Sequence, residues 1–130
     1  MELVEAFRSC DWKGFERLIA QVLELHNFEA YWNTTLTISG FKRQFDVIAN
    51  KNDCSLVIDC KKWNSKKGQV NALIKSADKH LERCSFLNKI LGRKEVIPVI
   101  ITYNEEPIVQ YKDVFVVPLH RLNDFILGLL

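Results

Sequence analysis

Two aspartates and a lysine are the residues of this 130-residue sequence whose types and spacing best suit chemistry. Asp46 lies in one strand-like segment, and Asp59 and Lys61 lie two positions apart in the next. Since residues two apart on a strand share a face, Lys61 should stand beside Asp59. Two carboxylates favour a hard divalent cation such as Mg²⁺. A neighbouring ammonium could activate water or stabilise charge on a phosphate, so the three residues together suit hydrolysis of a phosphodiester.

The turn between these two segments determines which residues should face each other. If Lys51 to Cys54 form a four-residue turn, cross-strand partners have numbers that sum to 105, and Asp46 lies opposite Asp59. The same register predicts that Phe45 faces Cys60 on the apolar side of the hairpin. Like charges about 5 Å apart destabilise a sheet, so the two carboxylates require a compensating cation.

Alternatives exist for the acidic residues. The polar side of the hairpin could be an exposed surface on which Lys61 forms a salt bridge with one aspartate. The apolar Leu-Val-Ile run before Asp59 favours burial on both faces instead. Glu16 lies at the edge of the apolar face of the first predicted helix. It could be the partner of a basic side chain or a fourth member of the site.

A basic segment follows Lys61 directly. Its candidate nucleic-acid contacts are Lys62, Trp63, Lys66, Lys67, Gln69 and Lys75. Lysines neutralise phosphates, an aromatic ring packs on a sugar or base, and a helix N-terminus favours phosphate. A solvated lysine loop is the alternative, but beside a metal site contact with DNA is the favoured interpretation.

The predicted elements that must position these residues form an α/β pattern. They are a helix at 11–26, strands at 28–38, 44–50 and 55–61, a helix at 68–91, strands at 96–102 and 114–117, and a helix at 121–130. The order predicts a mixed central sheet with helices on both faces. Pro98 should lie near the start of its strand. The apolar C-terminal helix should pack on the core in preference to forming a dimer surface.

Composition indicates a single globular domain over residues 1–130, with 48% hydrophobic and 26% charged residues. The formal net charge is only +2, so any affinity for DNA must come from local clusters of basic residues. The sequence contains no apolar run long enough to span a membrane and does not begin like a signal peptide. Its four cysteines include no CxxC pair, which predicts free thiols and a cytoplasmic location.

In this order, the segments resemble the restriction-endonuclease-like PD-(D/E)xK nuclease superfamily and, within it, the Mrr-type catalytic domain. The stretch 15–23 resembles the opening helix of that family, 44–49 its metal-aspartate strand, and 57–63 its (D/E/Q)xK strand. The later apolar strand and the closing helix also match in order, so the resemblance covers nearly the whole chain.

The resemblance implies an αβββαβ core and cleavage of DNA that depends on Mg²⁺ or Mn²⁺. It implies that Asp46 and Asp59 bind the metal, that Lys61 is the catalytic lysine, and that Glu16 takes the place of the acid on the first helix. Three features depart from the family pattern. Phe45 replaces a proline, the glycine often found near that position is absent, and Asp59 is shorter than the usual glutamate. The expected function is a DNA endonuclease. The alternatives are a structure-selective Holliday-junction resolvase acting as a homodimer, or a non-catalytic DNA-binding or assembly module that retains the fold.

Overall fold

The computed structural model describes residues 12–61, 69–92, 95–103, 105–106 and 108–129, without the side chains of residues 12, 13, 38, 69 and 91. In chain order the elements are α1 (Trp12–Leu25), β1 (Glu29–Ile38), β2 (Phe41–Lys51), β3 (Cys54–Lys61), α2 (Gln69–Leu91), β4 (Glu95–Thr102), β5 (Gln110–Tyr111), β6 (Val114–Pro118), a 3₁₀ turn (Leu119–Arg121) and α3 (Leu122–Leu129).

The strands form one six-stranded mixed sheet in the order β1-β2-β3-β4-β6-β5. Strands β1, β2 and β3 are antiparallel neighbours, β3, β4 and β6 run parallel, and β5 closes the far edge antiparallel to β6. The predicted mixed α/β architecture with a C-terminal helix is therefore confirmed. The short strand β5 was not predicted, because two residues carry no measurable hydrophobic alternation.

Helices cover both faces of the sheet, and each face has its own apolar core. On one face α1 contributes Phe15, Ile19 and Leu23, which are completely buried against residues of β2, β3 and β4. The helical spacing of these side chains explains why this segment folds as an amphipathic helix. Leu122 and Ile126 of α3 belong to the same cluster, so the prediction that the C-terminal helix packs on the core is confirmed for these residues.

Helix α2 covers the opposite face of the sheet. Leu73 and Ala77 pack near β4 and β6, whereas Cys84 and Leu87 pack against residues of β2 and β3. Gly92 follows the helix with a φ of 59°, a conformation that glycine adopts without steric cost. The long helix therefore spans the sheet and brings its middle residues over the end of β3.

The register of the β2–β3 hairpin agrees with the prediction over most of its length. Partners run from Lys51–Cys54 to Val47–Ile58, and their numbers sum to 105. The prediction for Phe45 is wrong. Its side chain packs with Ile48 and Val57 on the α2 face, whereas Cys60 is buried on the α1 face.

Phe45 lies on the α2 face because strand β2 is irregular at Asp46. In a regular strand, residues three apart face opposite sides of the sheet, but Phe45 and Ile48 face the same side. In β1, Asn33 falls opposite Asp46 in the register and has a φ of 51°. Asparagine tolerates this left-handed conformation better than most residues. The irregularity therefore crosses both strands at the position of the first aspartate.

Pro98 is the fourth residue of β4 instead of lying near its start, and it pairs with Val57. The amide hydrogen bonds that flank β4 run from Glu95 to Asp53 and from Tyr103 to Lys61. Odd-numbered residues of β4 therefore direct their amides towards β3, and Pro98 faces the other neighbour. Pairing with β6 begins only at Val99, so the missing N–H of the proline removes no ladder hydrogen bond.

Cys60 and Cys84 are free thiols. Burial raises the pKa of the Cys60 thiol well above its usual value, so this side chain stays protonated. Within the part of the chain that the structure describes, no helix has the length and apolar character needed to cross a membrane.

Candidate active site

Asp46 lies where the backbone ladder between β2 and β3 ends. The last recorded backbone partners are Val47 and Ile58. Beyond them, the backbone N–H of Cys60 donates a hydrogen bond to Oδ2 of Asp46 at 2.8 Å. A side-chain carboxylate thus replaces a backbone carbonyl as the acceptor, which fixes the orientation of Asp46 at the end of the hairpin.

Asp46 and Asp59 are brought together, as the sequence predicts, although they are not recorded partners in the ladder. Their carboxyl groups lie close enough for the protonation of one to affect the other. Burial and the neighbouring Asp59 and Glu16 carboxylates raise the pKa of Asp46 to about 8. At neutral pH the two carboxyl groups therefore share one proton, which removes the like-charge repulsion.

Asp59 carries the negative charge of this pair. It is buried, and its Oδ2 lies 3.2 Å from Nζ of Lys61 and 3.5 Å from an Nη of Arg83. Burial alone would raise the pKa of Asp59, but the neighbouring Lys61, His80, Asp46 and Arg83 together lower it. The salt bridge of Lys61 with one aspartate is thus present, but it is part of a largely buried cluster and not of an exposed hairpin surface.

Arg83 and His80 of α2 complete the surroundings of Asp59, and neither was predicted. An Nη of Arg83 lies 3.2 Å from Nδ1 of the buried His80, and Nε2 of His80 lies 2.7 Å from the carbonyl oxygen of Val57. Since arginine only donates, Nδ1 accepts and Nε2 carries the hydrogen. Burial lowers the pKa of His80, in keeping with a neutral ring. The sequence signal that could have identified His80 is its position on the apolar side of the predicted helix at 68–91.

Glu16 is buried on α1, with 2% of its surface exposed. Its negative charge contributes to the raised pKa of both Asp46 and Cys60. Glu16 therefore lies on the α1 face of the sheet, near the end of the β2–β3 hairpin. The predicted position at the edge of the apolar helix face agrees with this burial. Its role as a metal ligand stays a prediction.

The predicted DNA-contacting residues fall mostly outside the described part of the chain. Lys62, Trp63, Lys66 and Lys67 lie outside the described residues, as does the side chain of Gln69, whose backbone begins α2. Lys75 is described and exposed on α2. The structure therefore provides a position for Lys75 alone.

The donor set at Asp46 and Asp59 suits a hard divalent cation. Asp59 Oδ2 is buried and accepts no hydrogen bond from any described residue, although the two cations lie close to it. Among the residues that the structure describes, no group of three His, Cys, Asp or Glu side chains is placed to hold a metal ion. Mg²⁺ often uses only one or two carboxylates and retains several waters. Asp46 and Asp59 provide two such carboxyl groups, and a bound cation would replace the proton that Asp46 holds at neutral pH.

Residues 7–88 match the Mrr catalytic domain, a restriction endonuclease family. This match covers more than half of the chain and includes Glu16, Asp46, Asp59 and Lys61. The chain therefore belongs to the Mrr-type restriction endonuclease family and is a restriction-endonuclease-like nuclease domain of the PD-(D/E)xK class. That class typically uses divalent metal ions and acts on DNA.

Individual relatives agree with this assignment at the level of the fold. An uncharacterized protein of Archaeoglobus fulgidus is 25% identical over 118 residues, which cover 91% of each chain. The small subunit of the heterodimeric restriction endonuclease R.BspD6I has a TM-score of 0.62 at 17% identity, covering 98% of this chain and 74% of the subunit. A crystal structure of a protein of unknown function has a TM-score of 0.53 at 20% identity, covering 85% of this chain. The present chain spans 52% of the length of that last protein.

Proposed function

We propose that the chain is a metal-dependent DNA endonuclease whose centre consists of Asp46, Asp59 and Lys61. The single observation that carries the proposal is the pair of carboxyl groups at the end of the β2–β3 hairpin, the half-buried Asp46 and the buried Asp59, with a lysine 3.2 Å from an oxygen of Asp59. A divalent cation, Mg²⁺ or Mn²⁺, would be held by Asp46 and Asp59. When bound, it would supply a Lewis acid that neutralises phosphate charge and promotes attack by water.

The side chains of the protein divide the remaining work. The Cys60 amide holds Asp46 in one orientation, and Lys61 and Arg83 keep Asp59 ionised. Because Lys61 is only partly buried, with 23% of its side chain exposed, its ammonium can also reach an incoming phosphate or water. There it would orient the attacking water or stabilise the charge that develops on the phosphate.

Glu16 has an electrostatic role in this proposal. Its buried negative charge adds to that of the pair and increases the attraction for a cation. We include it as a third acidic member of the centre, which completes or tunes metal binding. The substrate is DNA, contacted by the lysines after β3 and by Lys75.

The test is nicking of a supercoiled plasmid in Mg²⁺ or Mn²⁺ by the wild type, Asp46→Asn and Lys61→Met. Both variants should lose about 10²-fold or more in rate, because each removes a group that acts on the reacting phosphate or its metal. Asp113→Asn and Lys89→Gln make the same charge changes at exposed positions and should retain wild-type rates. Equal rates in all five proteins would remove the assignment.

The same experiment separates the alternative functions when a four-way DNA junction is added as a substrate. A junction resolvase requires two sites on a symmetric dimer, so dimeric protein with a strong junction preference would favour that function. A monomer without such preference would count against it. Metal-independent DNA binding without cleavage of any substrate would identify a binding module that retains the nuclease fold.

A further inference from the structure

Three cationic side chains lie together on the α2 side of Asp59, outside the centre proposed above. Arg83 and Lys79 of α2 and Arg43 of β2 line an open cavity of about 280 Å³ with Glu82. Three cations against one acid give this surface a local positive charge, in a chain whose formal net charge is only +2. Such a cluster attracts an anion at close range.

Arg83 connects this cavity to the active site. One Nη lies 3.5 Å from Asp59 Oδ2 and 3.2 Å from His80 Nδ1, which anchors the guanidinium at the end of β3. Its side chain is 27% exposed, and both of these contacts use the same Nη. An arginine has five N–H donors in a planar fork that matches the oxygens of a phosphate. The exposed part of the Arg83 guanidinium can therefore donate to an anion in the cavity while the Asp59 contact is kept.

Arg43 is held in position by aromatic packing. Its guanidinium lies 4.9 Å from the ring centre of Phe86 and 5.8 Å from that of Phe41. Nη1 donates to the carbonyl oxygen of Lys42 at 3.2 Å, and Nη2 forms an ion pair with Glu82 at 3.3 Å. The Glu82 side chain is 62% exposed, so this ion pair is weak in water and open to competition by a stronger anion.

Lys79 completes the arrangement from the helix surface. It is exposed and lies four residues before Arg83, which places both on one side of α2. Lys75 lies a further four residues back. The basic side chains thus form a row along α2 that leads from Asp59 across the helix surface.

We propose that Arg83, Lys79 and Arg43 bind a backbone phosphate of the DNA substrate next to the phosphodiester that is cleaved. This inference rests on the proposed nuclease function, because it places a phosphate beside the carboxylate that would hold the metal ion. It assigns DNA binding to the α2 side of the centre, in addition to the lysines of that loop. Arg83 then has two contacts, one with Asp59 and one with the substrate.

The test is equilibrium binding of a fluorescent DNA duplex in EDTA, measured by anisotropy between about 50 and 200 mM salt. Loss of a whole phosphate contact lowers the magnitude of the slope of log K against log salt by about 0.9. We expect a reduction of up to this size in Arg83→Gln and in Lys79→Gln. Lys112→Gln, an equal charge change at the exposed turn between β5 and β6, should keep the wild-type slope.

The two variants also separate substrate contact from a merely structural role of Arg83. If Arg83 only positions Asp59, its replacement alters cleavage but leaves the slope unchanged. Lys79 is exposed, so Lys79→Gln decides the question even if Arg83→Gln does not fold. Wild-type slopes in both variants would overturn the inference, whether or not the wild type cleaves DNA. Reduced slopes with a wild type that does not cleave would retain DNA binding by these three cations and remove the proposed nuclease function.

Discussion

Asp46 and Asp59 have the same side chain and lie beside each other, yet their pKa values shift in opposite directions. Asp59 lies beside Lys61 and Arg83, which favour its ionised form. The pKa of Asp46 is instead raised to about 8 by burial and by the neighbouring carboxylates of Asp59 and Glu16. Neighbouring groups whose environments separate their pKa values are typical of catalytic sites. In this protein the separation leaves Asp59 ionised and Asp46 protonated at neutral pH.

The raised pKa of Asp46 predicts a specific dependence of stability on pH. Its pKa is about 8 in the folded protein and near 3.8 when unfolded, so the unfolded state loses this proton first as pH rises. The stabilisation is complete below about pH 3.8 and is lost as pH rises towards 8. Asp46→Asn carries no titrating group, keeps the hydrogen-bonding shape and should not lose this contribution.

The measurement is the free energy of unfolding of metal-free protein in urea at pH 5 and pH 8. Relative to wild type, Asp46→Asn should gain on the order of 2 kcal/mol between the two pH values, a figure reduced for the partial exposure of the side chain. Asp113→Asn, at an exposed turn, should show no such gain. A difference between Asp46→Asn and wild type that stays constant with pH would contradict the protonation of Asp46.

Strand β2 shows how far sequence patterns predict this site and where they stop. The turn chemistry and alternating apolar residues predict the hairpin register correctly from Val47 to Lys51. They do not predict the irregularity at Asp46, because it depends on a side chain that takes a backbone amide from β3. Asn33, a poor strand former, was the one local signal. The family proline is replaced here by Phe45, which packs on the α2 face instead.

Helix α2 sets a similar limit. The apolar positions Leu73, Ala77, Cys84 and Leu87 predict which side of the helix is buried. His80 lies on that same stripe and is buried, but its hydrogen bond with Val57 depends on a carbonyl of β3, which the sequence pattern of α2 does not contain. The contact of Arg83 with Asp59 likewise joins two elements far apart in the chain. Apart from the short strand β5, the sequence patterns predict the elements but not the contacts between them.

The packing of Phe45 predicts that the strand irregularity stabilises the site. Phe45 is 1% exposed and packs with Ile48, Val57, Cys84 and Leu87. Phe45→Ala should lower the free energy of unfolding by about 3 kcal/mol, because it leaves a cavity under the strand that carries Asp46. Phe41→Ala, on the same strand with 58% of its surface exposed, should cost less than about 1 kcal/mol in the same urea titration. Equal effects of the two substitutions would refute the assigned packing.

At the scale of the whole molecule, the site lies near the edge where the parallel strands end. Lys61 pairs with Thr102, and Thr102 pairs with Pro118, so the carboxyl ends of β3, β4 and β6 meet there. Ligands of open α/β sheets commonly bind at this edge. Helix α1 brings Glu16 from one face, and α2 brings Arg83 from the other. A cavity of about 520 Å³ between β6 and α3 contains none of the candidate residues, and an extended DNA backbone does not require a deep pocket.

We propose that the Asp46–Asp59 pair is a divalent-metal centre for DNA cleavage. The most direct test of this centre is the initial rate of plasmid cleavage by EDTA-treated protein as Mg²⁺ is added back, for wild type and Asp46→Asn. We expect no cleavage in EDTA, a rate that rises and saturates with Mg²⁺ for wild type, and a flat response for Asp46→Asn. Wild-type cleavage that continues undiminished in EDTA, or an Asp46→Asn curve identical to that of wild type, would contradict the account.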